Sequence, residues 1–224
     1  MIAAHSRRFF KTAPGEYGAG DRFLGIRVPR LRMIAREFSG LPERAMLELL
    51  GSPFHEERLL ALLVMTQRSK RAAPRERARL YRLYVARIRS HVNSWDLVDV
   101  SAPEIVGGYL EDRDRAPLYA LARSRSLWER RVAVMATLRF IRQRSFGDTL
   151  AICELLLEDT EDLIHKAAGW MLREIGNRDR RAAEAFLRRH HARMPRTMLR
   201  YAIEKYPERL RRAYLRGNLG YCNA

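Results

Sequence analysis

The sequence of 224 residues predicts an all-α protein. Apolar residues recur three and four positions apart along most of the chain, which is the spacing of one helix face. The two-residue alternation typical of strands is not evident, and no Asn-Gly hairpin signal occurs. Prolines stand where new helices would begin, the position at which proline is best tolerated. These prolines are Pro29, Pro42, Pro53, Pro74, Pro117, Pro195 and Pro207.

The spacing of the helices indicates a repeat architecture. About a dozen helices follow one another with short connectors, two in every roughly 35–40 residues, which is typical of HEAT-like helical hairpins rather than of a compact bundle. We expect about six such repeats in a right-handed superhelical array with a basic concave face. Residues 1–215 are expected to form a single domain, and residues 216–224 a flexible tail. The glycine-rich residues 15–20 lack a Lys-Ser/Thr pair and predict a loop rather than a phosphate cradle.

Two later segments carry the clearest helix signals. Residues 126–142 open with Ser126 and Glu129 at the spacing of a capping box, so one helix is expected from there to residue 142. Residues 161–175 have a continuous apolar stripe that we expect to be buried. The stripe consists of Ile164, Ala167, Ala168, Met171 and Ile175.

The charge of the chain points to a polyanionic partner. The formal net charge is +17, and the 43 basic residues are 39 arginines and 4 lysines. A GC-rich genome explains the preference for arginine over lysine, but it does not explain the excess of basic over acidic residues. Because the arginine fork suits bidentate phosphate contacts, nucleic acid is favoured over generic basicity or an acidic protein partner.

The cysteines and the N-terminal segment indicate a reducing compartment. Cys153 and Cys222 form no Cys-x-x-Cys motif and have no histidine at ligand spacing, so neither a disulfide framework nor a metal site is expected. The N-terminus lacks the apolar segment of a signal peptide, and no apolar run approaches membrane-spanning length. We therefore expect a soluble, cytoplasmic protein.

One aromatic–acidic pair stands apart from the basic background. Trp95 and Asp99 are four residues apart and share one helix face, which suggests a local site for something cationic. Pro103 cannot donate to the carbonyl of residue 99, so the helix is expected to be interrupted or kinked there. The alternative is that Asp96 and Asp99 only complement the helix dipole, with Trp95 as a packing residue. The residues expected in the core are Leu97, Val98 and Ile105.

Further candidates bind phosphates or stack on bases. Arg131 borders an apolar stripe, where it needs either a carboxylate or a phosphate. Trp170 lies off the stripe of its helix, beside Lys166 and Arg173 or Glu174, and could stack on a base or sugar, or simply pack between helices. A basic helix end and the next helix start supply further phosphate contacts. These are Arg193, Arg196 and Arg200, and Lys166 and Arg173 are expected to bind DNA together with them.

Five segments together resemble the bacterial AlkD-type DNA alkylation repair family, over nearly the whole chain and in the family's order. They are FLGIRVP at 23–29, WDLVD at 95–99, LWERR at 127–131, HKAAGWMLRE at 165–174 and MPRTMLRYAIE at 194–204. The resemblance implies a HEAT-like superhelix that excises N3-alkyladenine and N7-alkylguanine from duplex DNA as a monofunctional glycosylase. It implies neither metal nor cofactor. The lesion can react while still stacked, in contrast to base-flipping glycosylases.

The resemblance also assigns roles to individual residues. Asp99 resembles the catalytic carboxylate, and Trp95 and Trp170 resemble the two tryptophans that border the lesion and its deoxyribose. Arg131 resembles the arginine that contacts the DNA backbone near the lesion. The family's catalytic members place a tyrosine from the first helices near the lesion; this sequence departs from that pattern, and His5 is one candidate counterpart.

The hypothesis is therefore a monomeric, metal-free DNA glycosylase of the cytoplasm, associated with the nucleoid when bound to DNA. It would act on cationic alkylpurines in duplex DNA and initiate base excision repair. One alternative is a non-catalytic HEAT-like protein that binds branched or damaged DNA. Another is a helical-repeat scaffold for an acidic protein. The joint presence of Trp95, Asp99, Arg131 and Trp170 favours the enzyme.

Overall fold

The computed structural model describes residues 9–218, which form helices and contain no strand. The all-α prediction is confirmed. The chain divides into two compact units, Met1–Arg113 and Asp114–Ala224. A single domain over residues 1–215 and a superhelical shape stay predictions. His5, Cys222 and most of the expected tail lie outside the described residues.

Unit 1 is organised around one long helix that is buried on most of its sides. This helix, α3 (His55–Arg71), packs against α1 (Val28–Glu37), α2 (Glu43–Leu50), α4 (Pro74–Val85), α6 (Trp95–Ala102) and the π-helical segment Pro103–Gly107. Its neighbours lie on several sides and bury polar positions such as Thr66 and Ser69 as well as apolar ones. The helices of unit 1 are α1 Val28–Glu37, α2 Glu43–Leu50, α3 His55–Arg71, α4 Pro74–Val85, α5 Ile88–His91, α6 Trp95–Ala102, the π segment Pro103–Gly107 and α7 Gly108–Leu110.

Unit 2 is organised in the same way around the helix Asp162–Gly176, which is α12. It packs against α9 (Leu127–Ala136), α10 (Leu138–Arg142), α11 (Gly147–Leu155), α13 (Arg180–His190) and α14 (Arg196–Ala202). All five residues of its predicted stripe are fully buried, which confirms that prediction. The helices of unit 2 are α8 Ala116–Ala122, α9 Leu127–Ala136, α10 Leu138–Arg142, α11 Gly147–Leu155, α12 Asp162–Gly176, α13 Arg180–His190, α14 Arg196–Ala202 and α15 Glu208–Arg216.

A repeated hydrogen-bonded turn precedes α3 in unit 1 and α9 in unit 2. In each turn a serine hydroxyl accepts from the backbone N–H two residues later, at 3.0 Å, and donates to a glutamate of the helix. The arginine after that glutamate donates back to the serine carbonyl, at 3.0 and 3.1 Å. The first set is Ser52, Phe54, Glu57 and Arg58, and the second is Ser124, Ser126, Glu129 and Arg130. The same turn therefore begins one helix in each unit, α3 in unit 1 and α9 in unit 2, as expected of a repeat architecture.

This turn corrects the expected capping box. Ser126 is the N-cap of α9, but its side chain makes no cap hydrogen bond, and the Glu129 carboxylate accepts from the Ser124 hydroxyl instead of turning back to Ser126. The helix expected to reach residue 142 is divided at Thr137, whose hydroxyl donates to the carbonyl of Val134 at 2.7 Å. The proline prediction is confirmed, since each of the seven lies within two residues of a helix start.

Candidate functional site

Trp95 and Asp99 lie one turn apart on α6, and both side chains are partly exposed. Trp95 is the first residue of the helix and Asp99 the fifth. The opposite side of α6 is fully buried, because Leu97, Val98 and the following Ile105 have no exposed surface, as predicted. Packing of this apolar side therefore leaves the indole and the carboxylate on the accessible side of the helix.

The expected interruption beyond Asp99 is a π-helical turn. Pro103 has helical backbone angles, and the N–H of Gly108 donates to its carbonyl five residues back. The hydroxyl of Ser69 on α3 donates to the carbonyl of Glu104 at 3.2 Å and so ties this turn to the central helix. Single π turns within helices are frequent at functional sites. Pro103 has no backbone N–H to donate to the carbonyl of Asp99, and the helix changes from α to π geometry directly beyond the candidate carboxylate.

The buried side of α6 is attached to α4 by a chain of hydroxyl groups. The Tyr84 hydroxyl and the Ser101 hydroxyl lie 2.9 Å apart, and Ser101 donates to the carbonyl of Leu97 at 2.5 Å. Burial, and in addition the nearby charge of Asp99, raise the pKa of Tyr84 above its usual range. Tyr84 therefore stays a neutral phenol that holds α6 in place.

Trp95 belongs to an aromatic cluster formed by residues that are distant in the sequence. Phe10 stacks on Trp95 with ring centroids 5.7 Å apart, and Phe9 meets the indole edge-on at 5.8 Å. Phe10 and Phe23 in turn lie against the imidazole of His55, at 4.6 and 5.0 Å. Because Phe9 is 57% exposed, the cluster reaches the surface beside Trp95. Sequence reasoning missed this cluster.

His55 connects this cluster to two carboxylates. Its Nε2 lies 2.8 Å from Asp96 Oδ2, and its Nδ1 lies 3.2 Å from Asp21 Oδ2. Arg58 also donates to Asp21, at 2.7 Å. Burial of His55 opposes its protonation, but the hydrogen bonds to Asp21 and Asp96 outweigh burial and raise its pKa from 6.5 to about 9. His55 is therefore an imidazolium at neutral pH.

The raised pKa of His55 predicts that the free energy of unfolding decreases at alkaline pH. Because the folded pKa is raised, the contribution of His55 is complete below pH 6.5 and is lost as the pH rises through about 9. The shift corresponds to roughly 3 kcal/mol. Urea unfolding should therefore show a larger loss of stability between pH 7 and 10 for the native chain than for His55→Gln. Equal losses in the two proteins would contradict the imidazolium assignment.

The segment at residues 23–29 owes its shape to a buried glutamate. The Glu56 carboxylate accepts hydrogen bonds from the backbone N–H groups of Leu24, Gly25 and Ile26, at 2.9, 2.8 and 3.3 Å. Gly25 has φ +82°, a left-handed conformation that favours glycine and turns successive N–H groups toward one acceptor. Glu56 thus fixes the loop between the aromatic cluster and α1.

In unit 2, Arg131 is buried on α9 and is only 4% exposed. Its guanidinium donates to the carbonyl of Leu163 in the first turn of α12. Arg131 therefore links α9 to α12, and it is also the candidate for a contact with the sugar-phosphate backbone of DNA.

Trp170 is partly exposed on α12, off the buried stripe as expected. Its indole N–H donates to Glu174 at 3.3 Å, and Arg178 holds the same carboxylate at 2.7 Å. Burial raises the pKa of Glu174, but the bonds from Arg178 and Trp170 outweigh burial and lower it overall. Glu174 therefore remains a carboxylate that fixes the plane of the indole ring.

The other predicted cations of unit 2 are arranged in ion pairs or are exposed. Lys166 pairs with Asp162 at 2.6 Å, and Arg193 pairs with Glu158 at 2.9 Å on an exposed surface. Arg173, which is mostly buried, pairs with Glu204. The remaining two are exposed, namely Arg196, which donates to the carbonyl of Leu215 at 2.5 Å, and Arg200. Exposed pairs contribute only about 0–1 kcal/mol, so phosphates can compete for these cations.

Several candidates share one position in their helices. Arg131, Lys166 and Arg200 are the fifth residues of α9, α12 and α14, which pack in that order within unit 2. Asp99 is likewise the fifth residue of α6. The sequence alone did not reveal that these residues occupy the same position in their helices. That comparison needs the exact helix starts, because the intervening helices and loops differ in length.

The fold and these positions define an all-helical protein in which α6, α9, α12 and α14 carry the candidate acid, the two candidate indoles and several cations. The family model described as DNA alkylation repair enzyme matches residues 1–206, and the chain belongs to this family. A solved structure described as a predicted DNA alkylation repair enzyme from Enterococcus faecalis is similar, with a TM-score of 0.70 and 17% identity. The similarity covers 92% of this chain and 95% of that one. No curated protein matches the chain. Among residues 9–218, no helix is both long enough and apolar enough to cross a membrane.

Proposed function

We propose that the protein is a monofunctional DNA glycosylase. It hydrolyses the N-glycosidic bond of cationic alkylated purines, of the 3-methyladenine and 7-methylguanine class, in duplex DNA. The observation that carries the proposal is the partly exposed pair of Trp95 and Asp99 on α6, in a chain of net charge +17 that belongs to a DNA alkylation repair family. Such a protein would act as a monomer in the cytoplasm, without a metal or cofactor.

The chemistry of the lesion explains why one carboxylate is sufficient. Alkylation at N3 or N7 makes the purine a cation and thus a good leaving group. When the bond between C1′ and N9 breaks, the base keeps the electron pair and positive charge develops on the sugar. The Asp99 carboxylate stabilises that charge and orients the water that adds to C1′, and the proton that this water loses passes by way of the carboxylate to the solvent. Preorganised charges of this kind are commonly the largest catalytic contribution.

The two tryptophans supply flat, electron-rich surfaces for the cationic nucleotide. An indole face attracts a cation by about 0.5–2 kcal/mol. In this structure the stacking of Phe10 on Trp95 and the hydrogen bond from Trp170 to Glu174 limit the rotation of both rings. A ring already fixed in place loses little conformational entropy when the lesion binds.

The cations of unit 2 are proposed to hold the phosphate backbone. Lys166, Arg193, Arg196 and Arg200 are accessible enough to contact phosphates directly. Arg173 would first have to leave Glu204, and Arg131 would contact DNA from a buried position. Binding through phosphate contacts weakens as the salt concentration rises.

The proposal is tested by incubating the protein with methylated duplex DNA and identifying the released bases by chromatography and mass spectrometry. We expect free 7-methylguanine and 3-methyladenine, and DNA strands that remain intact until the abasic sites are cleaved. Binding of the same duplex without any released base would reject the glycosylase. That outcome would favour a non-catalytic protein that recognises damaged or branched DNA.

Replacement of either tryptophan by alanine should slow excision. The loss of one indole–cation contact corresponds to a decrease of roughly 2- to 30-fold in single-turnover rate for 7-methylguanine. Trp95→Phe and Trp170→Phe keep an aromatic face and serve as controls, for which we expect smaller decreases. Rates equal to that of the native chain in both alanine variants would contradict the assigned roles.

A further inference from the structure

The first turn of α6 is held to the central helix α3 by a side-chain hydrogen bond between Asp96 and His55. His55 is the first residue of the central helix α3 and is only 2% exposed. Asp96 lies between Trp95 and the buried side of α6, and its Oδ2 is 2.8 Å from His55 Nε2. The opposite ring nitrogen, Nδ1, lies 3.2 Å from Asp21.

We propose that His55 is a positioning residue, which fixes the rotation of α6 through Asp96 and thereby sets the directions of Trp95 and Asp99. This inference rests on the proposed function, because it assigns His55 to the same reaction. Asp96 follows Trp95 directly and precedes Asp99 by less than one turn. A rotation of the helix that moved Asp96 would therefore displace both candidate groups together.

Other groups at the start of α6 do not supply this constraint. Ser94 is the N-cap residue, but its side chain makes no cap hydrogen bond, and its buried hydroxyl has no hydrogen-bond partner among residues 9–218. Within the same residues, the Oδ1 atoms of Asn93 and Asp96 are also buried without a hydrogen-bond partner. The Asp96 Oδ2 bond to His55 thus ties the first turn of α6 to α3, while the Tyr84–Ser101 bond ties its last turn to α4.

The aromatic cluster reinforces the same arrangement. Phe10 lies against both the His55 ring and the Trp95 indole, so the imidazole contacts α6 through a hydrogen bond and, indirectly, through stacking. A shift of His55 would therefore also disturb the ring that packs on Trp95.

Asp21 and Asp96 both accept a hydrogen bond from His55 only while each nitrogen of the imidazole carries a hydrogen. A neutral imidazole has one N–H and can donate to Asp21 or to Asp96, but not to both. The charged groups that face His55 are Asp21 from the preceding loop, Asp96 from α6 and Arg58 from α3 itself. Burial and Arg58 oppose protonation and the carboxylates favour it, with the result that the pKa is about 9. Above this pH the Asp96 anchor weakens.

Two amide variants separate the two bonds of the ring. In His55→Gln the side-chain nitrogen takes the place of Nε2 and can still donate to Asp96, whereas in His55→Asn it takes the place of Nδ1 and can donate only to Asp21. Both variants lose the ring and the charge. We expect single-turnover excision by the Asn variant to fall about 10- to 100-fold, since small misplacements of catalytic groups have effects of that size. The Gln variant should retain most of the native rate.

The pH profile supplies a readout that a purely structural role would not change. Excision by the native chain should decline above about pH 9. That decline should be absent from the Gln variant, whose amide does not titrate. Circular dichroism and duplex affinity, measured at every pH of the profile, establish that the compared proteins are equally folded and bind DNA equally well, because loss of the His55 charge also lowers the free energy of unfolding. Equal rates for the Asn and Gln variants at equal folded fractions would overturn the proposal, as would an unchanged decline in the Gln variant.

A fluorescence measurement distinguishes failure of this inference from failure of the proposed function. If the native chain released no base, the glycosylase proposal would fall while positioning could still be tested. In a Trp128→Phe/Trp170→Phe background, Trp95 is the remaining tryptophan. Its emission should change with a midpoint near pH 9, and this change should disappear in His55→Gln. An emission that does not titrate in the presence of His55 would reject the positioning role.

Discussion

Replacement of Asp99 by asparagine is expected to reduce the release of 7-methylguanine by at least about 100-fold, the size of effect seen when a preorganised group that stabilises transition-state charge is removed. Asparagine has nearly the same shape as aspartate but no negative charge. It therefore preserves the packing of α6 and removes the stabilisation of the cationic sugar. Single-turnover assays with methylated duplex DNA measure this decrease directly.

The affinity of Asp99→Asn for duplex DNA should stay the same or increase. The carboxylate repels the phosphates of the duplex, so its neutralisation removes an unfavourable interaction while the arginines are unchanged. Fluorescence anisotropy at one fixed salt concentration gives the dissociation constant. Asp112→Asn is the matched control, because Asp112 is an exposed acid of the same unit and its replacement changes the net charge equally. Native release rates in Asp99→Asn would reject the catalytic assignment.

Features that depend on neighbours in the sequence could be predicted well. The prolines indicated the helix starts, and three-and-four spacing identified the buried stripe of α12. The missing N–H of Pro103 indicated the irregular turn beyond Asp99, which the structure has as Pro103–Gly107. In each case the determining interaction lies within one or two helical turns, so the local sequence contains the necessary information.

Features that depend on tertiary contacts could not be predicted. His55 binds carboxylates that are 34 and 41 residues away in the sequence, and no local pattern associates them. The sequence pattern also suggested that Ser126 and Glu129 pair with each other, whereas Glu129 binds Ser124. A comparison of the chain with itself would have revealed this turn, because a serine followed by Glu-Arg at the same spacing precedes both α3 and α9.

At Gly169 in unit 2, the addition of a single methyl group is expected to lower the free energy of unfolding strongly. It lies in the buried part of α12, where that helix packs on α14. A Cβ atom at Gly169 would lie 2.5 Å from the carbonyl oxygen of Met198 and 2.6 Å from Cβ of Tyr201. Neither atom can move without its backbone, so an alanine forces the two helices apart.

Gly169→Ala is therefore expected to lower the free energy of unfolding by about 2–3 kcal/mol, as overpacking of a rigid contact does. Urea unfolding followed by circular dichroism measures the change. Gly108→Ala is the control, because Gly108 has helical backbone angles and an added Cβ would meet no atom within 4 Å. Alanine is the better helix former, so the control should be neutral or more stable by up to about 1 kcal/mol.

The same substitution tests whether the close approach of α12 and α14 matters for the proposed reaction. Trp170 follows Gly169 directly, and Arg200 lies between the two residues that a new Cβ would displace. If separation of the helices moves these groups, Gly169→Ala should excise 7-methylguanine more slowly even at temperatures where it is fully folded. Native stability in Gly169→Ala would show that the helices do not approach as closely as these distances require. A slower reaction in Gly108→Ala would show that the loss is not specific to the α12–α14 contact.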